Sequence, residues 1–181
     1  IFYRKSRFLL QDSGTFWLSE TPELISKGWD AALNRVCTYA QFKDHKTKKT
    51  FWVFNTHLDH IGEVARTKSL ELIVKKTKAL NIKGQPLVLM GDFNSAPHTG
   101  RIIKLKEVMA DSRDISEQAP FGPSGTFNGF KHDQPVKALI DYIFIAPAAA
   151  FRVRKYAILS DSKDLRYPSD HLPVYIEMEI K

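Results

Sequence analysis

The stretch Leu87-Val88-Leu89-Met90-Gly91-Asp92-Phe93-Asn94 sets four apolar residues directly against a glycine, an acid and an amide. Apolar throughout rather than alternating, Leu87 to Met90 reads as a central strand. Polar groups gather where such a strand ends, because a cleft can open to water there. Gly91 allows close backbone approach, Asp92 can orient or deprotonate a water, and Asn94 can donate to a developing oxyanion. An Asx-turn that merely ends a strand uses the same residue types, so the neighbouring segments have to decide.

Two other segments have the same build. Val53-Phe54 leads into Asn55-Thr56-His57-Leu58, and Ser169-Asp170-His171 runs into Leu172-Pro173-Val174. Asp170 can ligate a hard cation such as Mg²⁺ through oxygen, while His171 can act on the nucleophile or on a phosphate oxygen. Adjacent residues of an extended chain point opposite ways, so both reach one cleft only if the backbone turns there. In Leu139-Ile140-Asp141-Tyr142-Ile143-Phe144 one acid lies inside an apolar strand. A buried, unpaired carboxylate is costly, so Asp141 needs a partner, and His171 and His57 are the candidates. Three strand ends carrying carboxylate, imidazole and amide read as one metal-assisted hydrolytic site.

Outward from these points the chain reads as a single α/β domain without repeats or linkers. Ile1-Phe2-Tyr3-Arg4 reads as the middle or end of a strand, with residues 1–18 as strands broken near Lys5-Ser6. Residues 19–34 form a long loop, and strands at about 35–43 and 50–56 make a hairpin around the lysine-rich turn at 43–49. A helix runs from Glu63 to Leu80, with Ala65, Ser69, Leu72, Ile73, Ala79 and Leu80 on its apolar stripe. Gly84 stops it and Pro86 opens the central strand. A shorter helix is expected from about Thr99 to Val108, a long loop at 116–137, and strands at Leu139–Ala146, Phe151–Leu159 and Leu172–Ile180.

The 181 residues suffice for one sizeable core, and no apolar stretch has the length to cross a bilayer. The formal net charge of +7 favours anionic partners without identifying them. The lysine clusters at 43–49 and 75–78 are read as solvated surface rather than a phosphate track. Cys37, the single cysteine, excludes an internal disulfide and a multi-thiolate zinc site; it is expected to be a small buried thiol.

Asn55-Thr56-His57-Leu58, Gly91-Asp92-Phe93-Asn94, Ile140-Asp141-Tyr142 and Ser169-Asp170-His171 together resemble, in order and rough spacing, the endonuclease/exonuclease/phosphatase superfamily. Each fragment is weak alone; four in order are specific. The resemblance implies a deoxyribonuclease-I-like layered α/β sandwich with mixed, mostly antiparallel sheets. It implies catalytic roles for His57 on the scissile phosphate, Asp92 positioning water, Asn94 holding water or the transition state, and Asp141 pairing with His171. Asp170 would be a metal ligand for Mg²⁺ or Mn²⁺, while Thr126 and Phe127, in Thr126-Phe127-Asn128-Gly129, and Arg35 would face the substrate. The implied activity is metal-dependent phosphoester hydrolysis by a monomer, phosphodiesters ahead of monoesters, with nucleic acid among the candidate substrates.

The superfamily pattern begins with an Asn-containing strand and a metal-binding Glu that have no counterpart here, so residues 1–181 look like the C-terminal two-thirds of a member, truncated at the N-terminus. Weak or absent activity of this stretch alone is the corresponding expectation. Gly14-Thr15-Phe16-Trp17-Leu18-Ser19-Glu20-Thr21-Pro22 and Gly28-Trp29-Asp30-Ala31-Ala32 resemble bacterial members. A rival reading takes His57-Leu58-Asp59-His60-Ile61-Gly62 as part of a metallo-β-lactamase-like dizinc site, with Asn55 where its first histidine should stand. A non-catalytic anion-binding module is the third.

Overall fold

In the computed structural model, which describes residues 1–181, two sheets and two helices form layers. The larger sheet has six strands in the order β1-β2-β3-β4-β6-β5. These are β1 (Phe8–Trp17), β2 (Val36–Asp44), β3 (Thr50–His57), β4 (Leu87–Asp92), β5 (Ala110–Asp111) and β6 (Asp141–Ala146). Helices α1 (Glu63–Leu80) and α2 (Gly100–Lys106) complete the main layers, and β7 (Phe151–Ile158) pairs with β8 (Val174–Ile180) in a second sheet. Every pairing is antiparallel except β3 with β4, whose ends are joined through α1. A parallel pair requires such a crossover. The mixed, mostly antiparallel α/β architecture is the one expected.

Alternation along the central strands sorts the two faces. Phe54, Leu89 and Phe144 are fully buried at paired or adjacent positions, and they pack with Leu70, Ile73, Ile102 and Leu105 of the helices. Each such side chain contributes about 2 kcal/mol by leaving water. On the opposite face, Val88 and Ile145 pack against Phe151 and Val153 of the second sheet. The β2–β3 turn is organised by Asp44, whose carboxylate accepts from the Lys46 amide at 2.8 Å, from Thr47 at 2.9 Å and from the Arg7 guanidinium at 2.6 and 2.8 Å.

Several boundaries differ from the sequence reading. Residues 1–7 are not strand: a turn closed by Phe8 N–H donating to the Arg4 carbonyl precedes β1. The buried line of α1 runs through Ala65, Ser69, Leu70, Ile73 and Thr77, while Ala79 faces solvent and Leu72 and Leu80 are half-buried. Strand β6 begins at Asp141, because the Ile140 and Asp141 amides both donate to the Thr126 hydroxyl at 3.2 Å. Strand β8 begins at Val174, since the Leu172 amide donates to the Thr126 carbonyl at 2.7 Å. Thr99 is the N-cap of α2 rather than its first residue, and the two-residue β5 carries no pattern a reader could detect. Cys37 is fully buried, and burial pushes its thiol far above the ordinary range. No helix is long and apolar enough to cross a membrane.

Candidate functional site

The parallel register of β3 and β4 sets His57 opposite Asp92, and the antiparallel register of β4 and β6 sets Asp92 opposite Asp141. Paired residues share a face, so three neighbouring strands present one polar row at their ends. Gly91 makes this approach possible: its φ is +137°, and a Cβ there would stand 1.8 Å from the Thr56 carbonyl oxygen. Asn94 then turns the chain with φ +45°. Its amide N–H donates to Asp92 Oδ1 at 2.7 Å, and its side-chain amide donates to the Leu58 carbonyl at 3.0 Å and to Asp92 Oδ2 at 3.3 Å. The Asp92 carboxylate is thereby fixed before any ligand arrives.

Both histidines converge on it. His57 Nε2 lies 3.1 Å from Asp92 Oδ2, and His171 Nε2 lies 3.9 Å from the same oxygen. The other nitrogen of His171, Nδ1, is 2.8 Å from Asp141 Oδ2. Asp141 therefore has the partner its burial demands, and of the two candidates it is His171. Burial raises the Asp141 pKa, against the opposing hydrogen bonds of Thr126 and His171. Burial also opposes the charge on His171, but the hydrogen bond and charge of Asp141, then the charges of Asp92 and Asp170, raise its pKa overall. Asp92, Asp141 and His171 each offer a ligand atom within 4.8 Å of the others. They border an open cavity of about 400 Å³ that Asn55 and Tyr142 also line.

Thr126 is fully buried behind Asp141, and Phe127 places its ring edge-on to His171 with centroids 5.2 Å apart. Asp170 uses its backbone carbonyl to accept from the Asn128 and Gly129 amides at 2.8 and 3.2 Å. Its carboxylate has one long contact, 3.4 Å from Ser169 Oγ, and stands outside the Asp92–Asp141–His171 group. Arg35 is turned elsewhere: its Nε lies 3.6 Å from Asp59 Oδ2 and its Nη2 3.2 Å from His60 Nδ1. Asp59 in turn accepts from the amides of Ala32, Leu33, Ile61 and Gly62 at 2.8–3.1 Å. Burial works against its charge, yet those four amides hold the carboxyl well below the usual range. The rival dizinc arrangement of His57, Asp59 and His60 is therefore absent; Asp59 is a structural acid that ties two loops together.

Two residues of the site, Asn55 and Asn128, stand in motifs quoted from the sequence but are given no role of their own there. Asn55 lines the cavity two positions before His57 on the same face of β3, a period-2 relation that could have revealed it. Asn128, 7% exposed, donates to the Ser169 carbonyl at 3.1 Å and accepts from the Phe130 amide at 2.7 Å, joining the loop to the segment before His171. No local pattern announces that role.

The profile of the endonuclease/exonuclease/phosphatase family matches residues 6–171. Among solved structures, a mannosyl-6-phosphatase of Bacteroides thetaiotaomicron VPI-5482 is 38% identical and superposes with a TM-score of 0.90, over 98% of this chain and 69% of that one. A conserved protein of unknown function from Enterococcus faecalis V583 is 34% identical, TM-score 0.90, over 99% and 69%. The human Nocturnin catalytic domain, 19% identical with a TM-score of 0.74 over 98% and 62%, shares the fold. An uncharacterised protein of Acanthamoeba polyphaga mimivirus is 30% identical over 98 residues, which are 52% of this chain and 36% of that curated relative. The chain belongs to the endonuclease/exonuclease/phosphatase family.

Proposed function

We propose that the protein is a divalent-metal-dependent phosphoester hydrolase with His57, Asp92, Asn94, Asp141 and His171 as its working residues. The supporting observation is the continuous row His57–Asp92–His171–Asp141, with contacts of 3.1, 3.9 and 2.8 Å, at the edge of an open cavity. Phosphoryl transfer needs little covalent help from a protein; it needs an aligned nucleophile and compensation for charge on the equatorial oxygens. Two imidazoles flanking a fixed carboxylate supply both.

Asp92, held by Asn94, would direct a water in line with the phosphorus and accept its proton. His57, the most exposed member at 57%, would donate to a phosphoryl oxygen from the solvent side. His171, kept protonated by Asp141, would place positive charge beside the pentacovalent phosphoryl group. Asn94 would donate to the water or to the same oxygens.

The donor set fits a hard cation. Asp170 has a carboxylate with unfilled acceptor capacity, close enough for its charge to act on His171, and Asp92 and Asp141 offer oxygens of their own in the group around His171. Asp170 is the residue we assign to hold Mg²⁺ or Mn²⁺, which would supply charge compensation to the phosphoryl oxygen and the leaving alkoxide. The 38% identical mannosyl-6-phosphatase puts phosphomonoesters of a sugar ahead of the phosphodiesters that the sequence suggested. The test is release of phosphate or alcohol by the full-length protein from a panel of sugar phosphates, nucleotides and phosphodiesters, with Mg²⁺ and after chelation. Hydrolysis of at least one class that chelation abolishes is expected; turnover of none would sink the proposal.

A further inference from the structure

Beyond the catalytic row lies a second cavity, one wall of which packs on His171. Phe127 is that wall. Its backbone bridges Ala138 on one side and His171 on the other, its ring packs on His171, and it also borders a cavity of about 220 Å³ with Gly129, Lys131, Gln134 and Lys137. The cavity is smaller than the few hundred Å³ that hold a whole ligand, so it suits one group of a larger molecule. The contact of Phe127 with His171 puts it next to the catalytic row.

The chemistry of the lining is one-sided. It holds two cations, Lys131 and Lys137, and no carboxylate. The lysines engaged in ion pairs are Lys68, Lys76, Lys104, Lys106 and Lys155, which leaves both pocket lysines uncompensated. Gln134 and the backbone add hydrogen-bonding groups. The walls are tied to the catalytic segment. The Thr126 and Phe127 amides donate to the Ala138 carbonyl at 2.8 and 3.0 Å, and Asn128 links this loop to Ser169. Gly129 and Phe130 take left-handed backbone conformations, φ +57° and +62°, and the Asn128 side chain stabilises the turn through the Phe130 amide. For a bulky residue such as Phe130 that conformation is unfavourable, so the loop is held in this shape rather than left to wander.

We propose that this cavity is a subsite for a second phosphoryl group, borne by the alcohol that leaves, and that the preferred substrates are small bisphosphorylated molecules. Two uncompensated ammonium groups match the double charge of a phosphomonoester; a carboxylate or one link of a phosphodiester chain would neutralise only one. The inference rests on the phosphoester-hydrolase reading above and deepens it.

The experiment compares a hexose 6-phosphate with a hexose 1,6-bisphosphate in the parent protein and in Lys131→Ala/Lys137→Ala. The parent is expected to show a KM about tenfold lower for the bisphosphate, a preference that shrinks as salt is raised. The double variant should lose that preference while keeping its kcat and its KM for the monophosphate; Lys131→Arg/Lys137→Arg should retain much of it. Equal losses on both sugars, no loss at all, or an equal loss on a single-stranded oligonucleotide would overturn the subsite. Binding of the bisphosphate to Asp92→Asn protein, followed by calorimetry, separates this from the catalytic reading. Binding weakened about tenfold by the lysine substitutions supports the subsite even if no substrate turns over, and unchanged binding overturns it.

Discussion

Replacing Asp141 by Asn isolates the link between Asp141 and His171. Asn keeps the shape and can still accept from Nδ1–H, but it removes the charge. The bond that loses its charge is 2.8 Å long and joins side chains only 18% and 26% exposed. A charge-assisted hydrogen bond in such surroundings is worth about 1.5–3 kcal/mol. About half of that energy is owed to the charge, and if it holds His171 protonated in the transition state, kcat falls roughly 3- to 12-fold, at about 1.4 kcal/mol per decade. The pH profile gives the sign. A histidine with a raised pKa keeps its charge up to the raised value and loses it as pH climbs through it. Without Asp141, burial is opposed only by Asp92 and Asp170, so the basic limb of the kcat profile moves to lower pH. Stability should move the other way. Folding raises the Asp141 pKa, so its ionisation costs stability above the unfolded value of about 3.9, and Asn removes that cost. Steady-state kinetics from pH 5 to 9 with melting curves at pH 8 read both. A fall in kcat below threefold, or an unmoved basic limb, would refute the role given to the pair; a large fall in Tm would make Asp141 merely structural.

Asp59→Asn tests the structural assignment of that acid: it leaves four amides poorly matched and Arg35 without its counter-charge, so stability should drop by about 3 kcal/mol, roughly 10 °C in Tm. Because its folded pKa is depressed, the Asp59 contribution is complete above the unfolded value near 3.9 and is lost as pH falls, so the gap between parent and variant in denaturant midpoint should narrow in acid. Gly91→Ala forces a Cβ into the Thr56 carbonyl and should cost about 3 kcal/mol or more, with activity lost even in protein that still folds; a variant within 1 kcal/mol of the parent would contradict the close approach of β3 and β4.

The parts of this structure that could be read in advance are those whose signals are local. The β2–β3 hairpin, α1 and β4 follow from alternation, a helical stripe and an apolar run between turn residues. The polar row also has a local signature, because His57 and Asp92 fall where an apolar run stops and Asp141 interrupts one. What pairs with what has no such signature. Whether Asp141 meets His171 or His57 depends on the β4–β6 register and on Thr126 capping the start of β6, contacts 15 to 59 residues apart in sequence. Arg35 is the reverse case: a cation at the head of a strand fits a phosphate contact, but its pairing with Asp59, 24 residues away and buried, has no signature in the sequence. The shift of the α1 stripe toward Leu70 and Thr77 reflects packing against α2 and the sheet, which periodicity alone does not set. Asn128 and the Lys131–Lys137 cavity arise from left-handed turns that the loop composition permits without specifying.

The central claim is that Asp92 directs a water at phosphorus in a metal-assisted site. Its most direct test is phosphate release from a sugar phosphate with Mg²⁺ by the parent protein and by Asp92→Asn, with folding of both verified by circular dichroism. The expected result is a loss in kcat of about 10²-fold or more, no rescue by excess Mg²⁺, and abolition of the parent activity by chelation. Hydrolysis by Asp92→Asn within threefold of the parent would contradict it.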